Sequence, residues 1–270
     1  MNEEIIDQVK SLPPLSNTIT EVQKIKDNME IGLREIIKIV EKDPMETLNL
    51  INMANKPLYN NGVQIKTLQQ ALIMFGITKT FAILLENNVK RLFNINMQPY
   101  NISQEDFAKI SLMQSALALN WMNLLDKSKE ATDVFFFSAL IQEVGKVIIS
   151  ECVLRLGEEE DFLEDIISTT NIEEIEEAYL EVSTTEVTTL LLNKWDIDEE
   201  VKDIIKNSLN PEDAPDKIKE YCIMLNVIRT IVAIHSPLSE DSIALGIEKA
   251  KYFGLDTEKL KIAIANVEID

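Results

Sequence analysis

A single histidine and two cysteines are the only imidazole and thiol groups in the 270 residues. Zinc and most transition-metal sites draw on clusters of these side chains. Cys152 and Cys222 lie far apart, in apolar helical patterns, and both read as buried, reduced thiols. A Ser-His-Asp or Cys-His system needs a histidine base beside its nucleophile. His235 instead follows the apolar stretch Thr230 to Ile234 and precedes Pro237, so it reads as a helix-end residue with a structural role. Glycine is scarce, with 7 in the chain, and no pair has the spacing of a Walker or dinucleotide-binding loop, which removes kinase and dehydrogenase chemistry. With 8 prolines besides, and Leu, Ile, Glu, Lys and Ala dominant, the composition favours an all-α fold over many short strands.

The start, Met1-Asn2-Glu3-Glu4-Ile5, is acidic and lacks the basic and apolar regions of a secretory signal. Uncharged stretches such as Thr230 to Ser239 fall short of the roughly 20 residues that cross a bilayer. The expectation is a cytoplasmic protein without a membrane partner.

Arginine is also rare: Arg34, Arg91, Arg155 and Arg229 are the whole set. Bidentate recognition of a cyclic dinucleotide or polyphosphate is disfavoured accordingly. Acidic charge is abundant, giving a net −20, but residues 1–96 hold 11 basic and 11 acidic side chains, so the excess falls entirely beyond them. Residues 158–213 alone carry 19 Asp or Glu against 3 Lys. Such a surface repels phosphate backbones, and no nucleic-acid partner is expected. The asymmetry implies two lobes, 1–96 and 97–270.

Periodicity supplies the helices. Ile31, Leu33, Ile36, Ile37, Ile39 and Val40 form one face of an amphipathic helix over 31–42. Asp43-Pro44 reads as N-cap and first residue of the next helix, running to about Asn55. Thr67 to Gln70 fits a capping box ahead of Ala71, Leu72, Met74 and Phe75, with Gly76 ending that helix in a left-handed conformation. A further helix spans 77–93, and 94–101 marks the boundary between lobes. Beyond it, helices are predicted from Ser103 through Trp121 and from Phe135 to Cys152, the latter buried and central. Capping boxes at Thr170 to Glu173 and Ser183 to Glu186 start two more, and others cover 198–208, 215–235, 239–253 and 256–267.

Four pieces then stand in order: Leu12-Pro13-Pro14-Leu15; Asp43-Pro44; Leu50-Ile51-Asn52-Met53-Ala54-Asn55 with Tyr59; and Gln70-Ala71-Leu72-Ile73-Met74-Phe75-Gly76. Together with Leu140-Ile141-Gln142-Glu143-Val144-Gly145-Lys146 and Trp195, this series resembles the HDOD domain family over roughly residues 12–210. The resemblance implies an N-terminal helical bundle packed on a degenerate lobe of the HD phosphohydrolase kind, in a bacterial signalling module.

In the HD enzymes, histidines and a His-Asp pair hold one or two divalent metals that activate water against a phosphoester. Carried onto this sequence, the His-Asp pair falls on Gln142-Glu143, the first-helix histidine on Gln114, a later one on Thr184, and the paired histidines near Asn207-Ser208. Amides and hydroxyls are poor replacements for imidazole, so no metal, no cofactor and no catalytic residue is expected. Gln114, Gln142, Glu143, Thr184 and Asn207 become candidates for a vestigial cavity, closed by its own polar network or open to a small ligand. Two functions stay open: a non-catalytic module that docks on another signalling protein, and a small-molecule sensor. An active phosphohydrolase is the reading that the missing ligands oppose. For docking, the segments Leu12 to Leu15 and Asn55 to Gly62 of the first lobe are the candidate face. No heptad seam is sustained, and the oligomeric state is open.

Overall fold

The computed structural model describes residues 3–26, 32–60, 62–92, 96–169 and 171–267, and among these every regular element is helical. The first half contributes α1 (Glu3–Ser11), α2 (Asn17–Ile25), α3 (Leu33–Val40), α4 (Pro44–Ala54) and α5 (Leu68–Leu92). After a 3₁₀ turn at Gln98–Tyr100 come α6 (Gln104–Leu124), α7 (Lys129–Ile141), α8 (Gly145–Leu156), α9 (Glu159–Ser168), α10 (Ile172–Leu180) and α11 (Thr184–Lys194). The chain closes with α12 (Glu199–Lys206), α13 (Asp216–Ile231), α14 (Glu240–Tyr252) and α15 (Thr257–Ala265).

Local chemistry sets the helix starts. The Asp43 carboxylate accepts from the Met45 and Glu46 amides, with Pro44 in the first turn of α4. Thr67 and Gln70 cap α5 reciprocally, each backbone amide donating to the other's side-chain oxygen at 3.2 Å. Ser183 and Glu186 form the same box on α11. Within α5, Gly76 takes φ 74° and ψ −177° and divides the helix where its end is predicted. The early capping residue Thr170 lies outside the described residues. So do Ile31 and part of the 94–101 boundary.

The predicted helix from Phe135 to Cys152 is two helices, α7 and α8, turned at Gln142-Glu143-Val144. The Thr188 hydroxyl on α11 explains the turn: it accepts from the Gly145 amide at 2.9 Å and donates to the Gln142 carbonyl at 3.1 Å, taking over backbone groups that a continuous helix would pair. Close approach there requires glycine, since a Cβ on Gly145 would lie 2.4 Å from the Thr184 carbonyl oxygen. Three short helices, α1, α2 and α9, are not anticipated from the sequence; each is 9 or 10 residues long and owes its stability to packing rather than propensity.

A continuous apolar core runs from Ile5 through Trp121, Phe135, Phe136 and Phe137 to Val267. The two halves interlock. Helix α1 packs on α8 and α11, and the Gln8 amide reaches Glu151 at 2.7 Å. From α2, Gln23 donates to the Trp195 carbonyl at 2.9 Å and Lys26 pairs with Asp198 at 2.8 Å. Tyr59 bonds Ser115 on α6 at 2.7 Å. The segment Leu68–Arg91 is apolar and long enough to cross a membrane by composition, but 61% of its apolar window is buried against this core and Gly76 interrupts it. Cys152 and Cys222 are both buried and neither forms a disulfide.

Gly76 occupies a backbone region that residues with a Cβ essentially avoid. Gly76→Ala is expected to lower stability by about 1–3 kcal/mol, measured by urea denaturation, with the m-value unchanged.

Candidate functional site: a buried ion-pair cluster

The turn between α7 and α8 places Gln142, Glu143 and Lys146 in the interior of the second half, each no more than 4% exposed. Around them stand Gln114 on α6, Glu173 and Glu176 on α10, Thr184 and Thr185 on α11, and Arg229 on α13. The Lys146 ammonium lies 3.2 Å from Glu143 and 2.9 Å from Glu176, donates to the Thr184 hydroxyl at 2.9 Å, and sits over the Tyr100 ring. The Arg229 guanidinium reaches Glu143 at 3.1 Å and Glu173 at 2.8 Å.

The glutamates are further satisfied from α11. Glu176 accepts from the Thr184 amide at 2.6 Å and hydroxyl at 2.7 Å, and from the Tyr100 hydroxyl at 2.8 Å. Glu173 accepts from the Thr185 amide at 3.0 Å and hydroxyl at 2.9 Å. Both carboxylates therefore cap the first turn of α11, where the helix dipole favours negative charge. Beside them, the Gln142 amide donates to Gln114 at 3.0 Å, and Gln114 donates to the Val232 carbonyl at 3.1 Å. Gln142 Oε1 and Arg229 Nη2 are buried without a hydrogen-bond partner among the described residues.

Electrostatics follow from this packing. Burial works against ionisation of Glu143, but Lys146 and Arg229 outweigh it and hold the carboxyl below its ordinary range. Glu176 moves the other way: burial raises it, Lys146 draws it back, and the charge of Glu173 pushes it up again. Burial disfavours the charged Lys146, yet Glu143 and Glu176 more than restore it, so the ammonium persists above its usual range. Tyr100 is pushed up by burial and by Glu176, which keeps its hydroxyl a donor.

The structure thus brings together Gln114, Gln142, Glu143 and Thr184. Asn207 stands apart, partly exposed at the end of α12, with its amide on the Asp203 carbonyl. His235 lies exposed in the turn between α13 and α14. Sequence reasoning did not single out Glu173, Glu176, Tyr100 or Arg229. Their one signal is the i, i+3 spacing of Glu173 and Glu176 in α10, within an acidic tract that otherwise reads as solvated.

The resemblance to the HD enzymes carries a divalent-metal site onto these positions, and the donor set does not fit one. Three carboxylates surround the centre, but an ammonium and a guanidinium already stand between them and supply the positive charge. A metal ion would have to displace Lys146 or bind beside two cations. Among the described residues, no group of three or more His, Cys, Asp or Glu is arranged to hold a metal.

Comparison with known proteins places this geometry. The HDOD domain matches residues 12–211. Among curated proteins none matches in sequence. A structure from Shewanella amazonensis, provisionally named a phosphohydrolase, is similar with TM-score 0.75 and 14% identity, covering 99% of this chain and 95% of its own. A provisionally named signal transduction protein from Marinobacter aquaeolei VT8 gives TM-score 0.72 and 15% identity over 97% of this chain and 57% of its own. An HDOD domain protein of unknown function from Geobacter sulfurreducens gives TM-score 0.68 and 16% identity over 99% and 96%.

Removing one member of a buried ion pair leaves its partners uncompensated, so Lys146→Met is expected to cost about 3–5 kcal/mol by urea denaturation. Because the Glu143 carboxyl is held below its ordinary 4.5, its contribution is present above that value and is lost as pH falls through the lowered one. The stability difference between the native chain and Glu143→Gln should therefore be largest near neutral pH and shrink on acidification below about 4.5, measured by denaturation at a series of pH values.

Proposed function

This chain belongs to the HDOD domain family, and from that membership together with the cluster around Lys146 we propose that it is a non-catalytic signalling module that acts by contact with another protein in the cytoplasm. The observation that carries this reading is the pairing of Lys146 and Arg229 with all three carboxylates around Glu143, where the resemblance would put metal ligands. Without a Lewis acid and a bound water activated by it, the phosphoester chemistry of HD enzymes has no nucleophile here. The provisional name of the Marinobacter protein agrees with a signalling role.

A cluster of this kind serves as a rigid scaffold for surfaces elsewhere. The segment Asn55 to Asn60 is partly committed to the fold, because Asn55 pins the Ile65 backbone through its side-chain amide and Tyr59 is drawn onto α6. Pro13 and Pro14 remain exposed, between the half-buried Leu12 and the buried Leu15. The unpartnered Gln142 Oε1 and Arg229 Nη2 favour one second reading, a small polar ligand or water held in the cluster.

Two assays test the proposal together. Purified protein incubated with bis(p-nitrophenyl) phosphate and manganese is expected to show no hydrolysis above that of Glu143→Gln. A protein captured from the native cytoplasm is expected to change its own activity when the purified chain is added back. Turnover abolished by Glu143→Gln would overturn the non-catalytic reading; reconstituted partners whose activity stays constant would overturn the interaction reading.

A further inference from the structure

A cleft of about 880 Å³ lies away from the ion-pair cluster, where α4 and α5 of the first half meet α6 and the turn after α13. That size is ample for a small organic ligand, and junctions between lobes are common places for one. Its floor is apolar: Met53, Leu112 and Met113 are each no more than 8% exposed, and methionine adapts its shape to aliphatic surfaces. Its rim is basic, with Lys56, Lys90 and Lys109 against the single carboxylate of Glu105. Lys90 is held by Glu86 at 2.5 Å, while Lys56 and Lys109 make no ion pair among the described residues. In a chain of net charge −20, three lysines against one carboxylate along this cleft are a local reversal of sign.

We propose that this cleft binds a small organic anion, an acidic head group on an aliphatic body, with Lys56 and Lys109 facing the head and Met53, Leu112 and Met113 receiving the body. Among the described residues, the lining contains no aromatic side chain on which a base would stack and no arginine for a bidentate phosphate contact, which separates this ligand from a nucleotide. Because the walls come from both halves, the bound anion tightens their packing.

Binding is read on the isolated chain, independently of any signalling partner. Octanoate, octyl phosphate and neutral 1-octanol are titrated against the protein by calorimetry and thermal unfolding. The expected result is saturable binding of an anionic probe with a rise in unfolding temperature, and an affinity about tenfold weaker in the surface double variant K56A/K109A. Ala108, half-buried on α6, also lines the cleft, and A108W, which fills part of it, should abolish binding. Tighter octanoate supports a carboxylate ligand, and tighter octyl phosphate a phosphorylated one. Equal binding of 1-octanol, unchanged affinity in K56A/K109A, or no saturable binding of either anion overturns the proposal.

Discussion

A lysine and an arginine held among three buried glutamates are the constraint on which the second half of this molecule depends. Charges withdrawn from water are costly unless each meets opposite charge and hydrogen bonds in good geometry. Lys146 meets that requirement through Glu143, Glu176 and Thr184, and Arg229 through Glu143 and Glu173. Satisfying them fixes the turn from α7 into α8, the inward face of α10, the first turn of α11 and the end of α13 at once. Glycine at 145 and the hydroxyl of Thr188 allow the close approach of that turn to α11.

The position of this cluster connects structure to function. The HD enzymes that the sequence resembles hold a metal among their ligands; here Lys146 and Arg229 stand among the carboxylates. The halves of the chain are joined by Tyr59, Gln23 and Lys26, and a cleft of about 880 Å³ lies between α4, α5 and α6.

Much of the fold is legible in the sequence where the determinants are local. Asp43-Pro44, the Thr67 and Gln70 pair, Gly76, and the Ser183 and Glu186 box mark helix ends through contacts spanning only a few residues, and all of them form. Gln142 and Glu143 are found by their place in an ordered motif, and Gln114 and Thr184 by carrying the histidine positions of the HD enzymes onto this sequence. Lys146 belongs to that motif, but its role depends on Glu176, thirty positions away. Glu173 and Glu176 look like any solvated helix face until α11 and Arg229 are packed against them, so only tertiary structure distinguishes them from the surrounding acidic tract. The break between α7 and α8 is hidden for the same reason: its cause is Thr188, on another helix.

The measurement closest to the central claim is a crystal structure of the chain grown with manganese, with anomalous scattering collected at a wavelength where manganese contributes strongly. No anomalous peak is expected among Glu143, Glu173 and Glu176, and the Lys146 ammonium is expected in hydrogen-bond contact with Glu176. A manganese ion bound by those carboxylates, with Lys146 displaced, would contradict it.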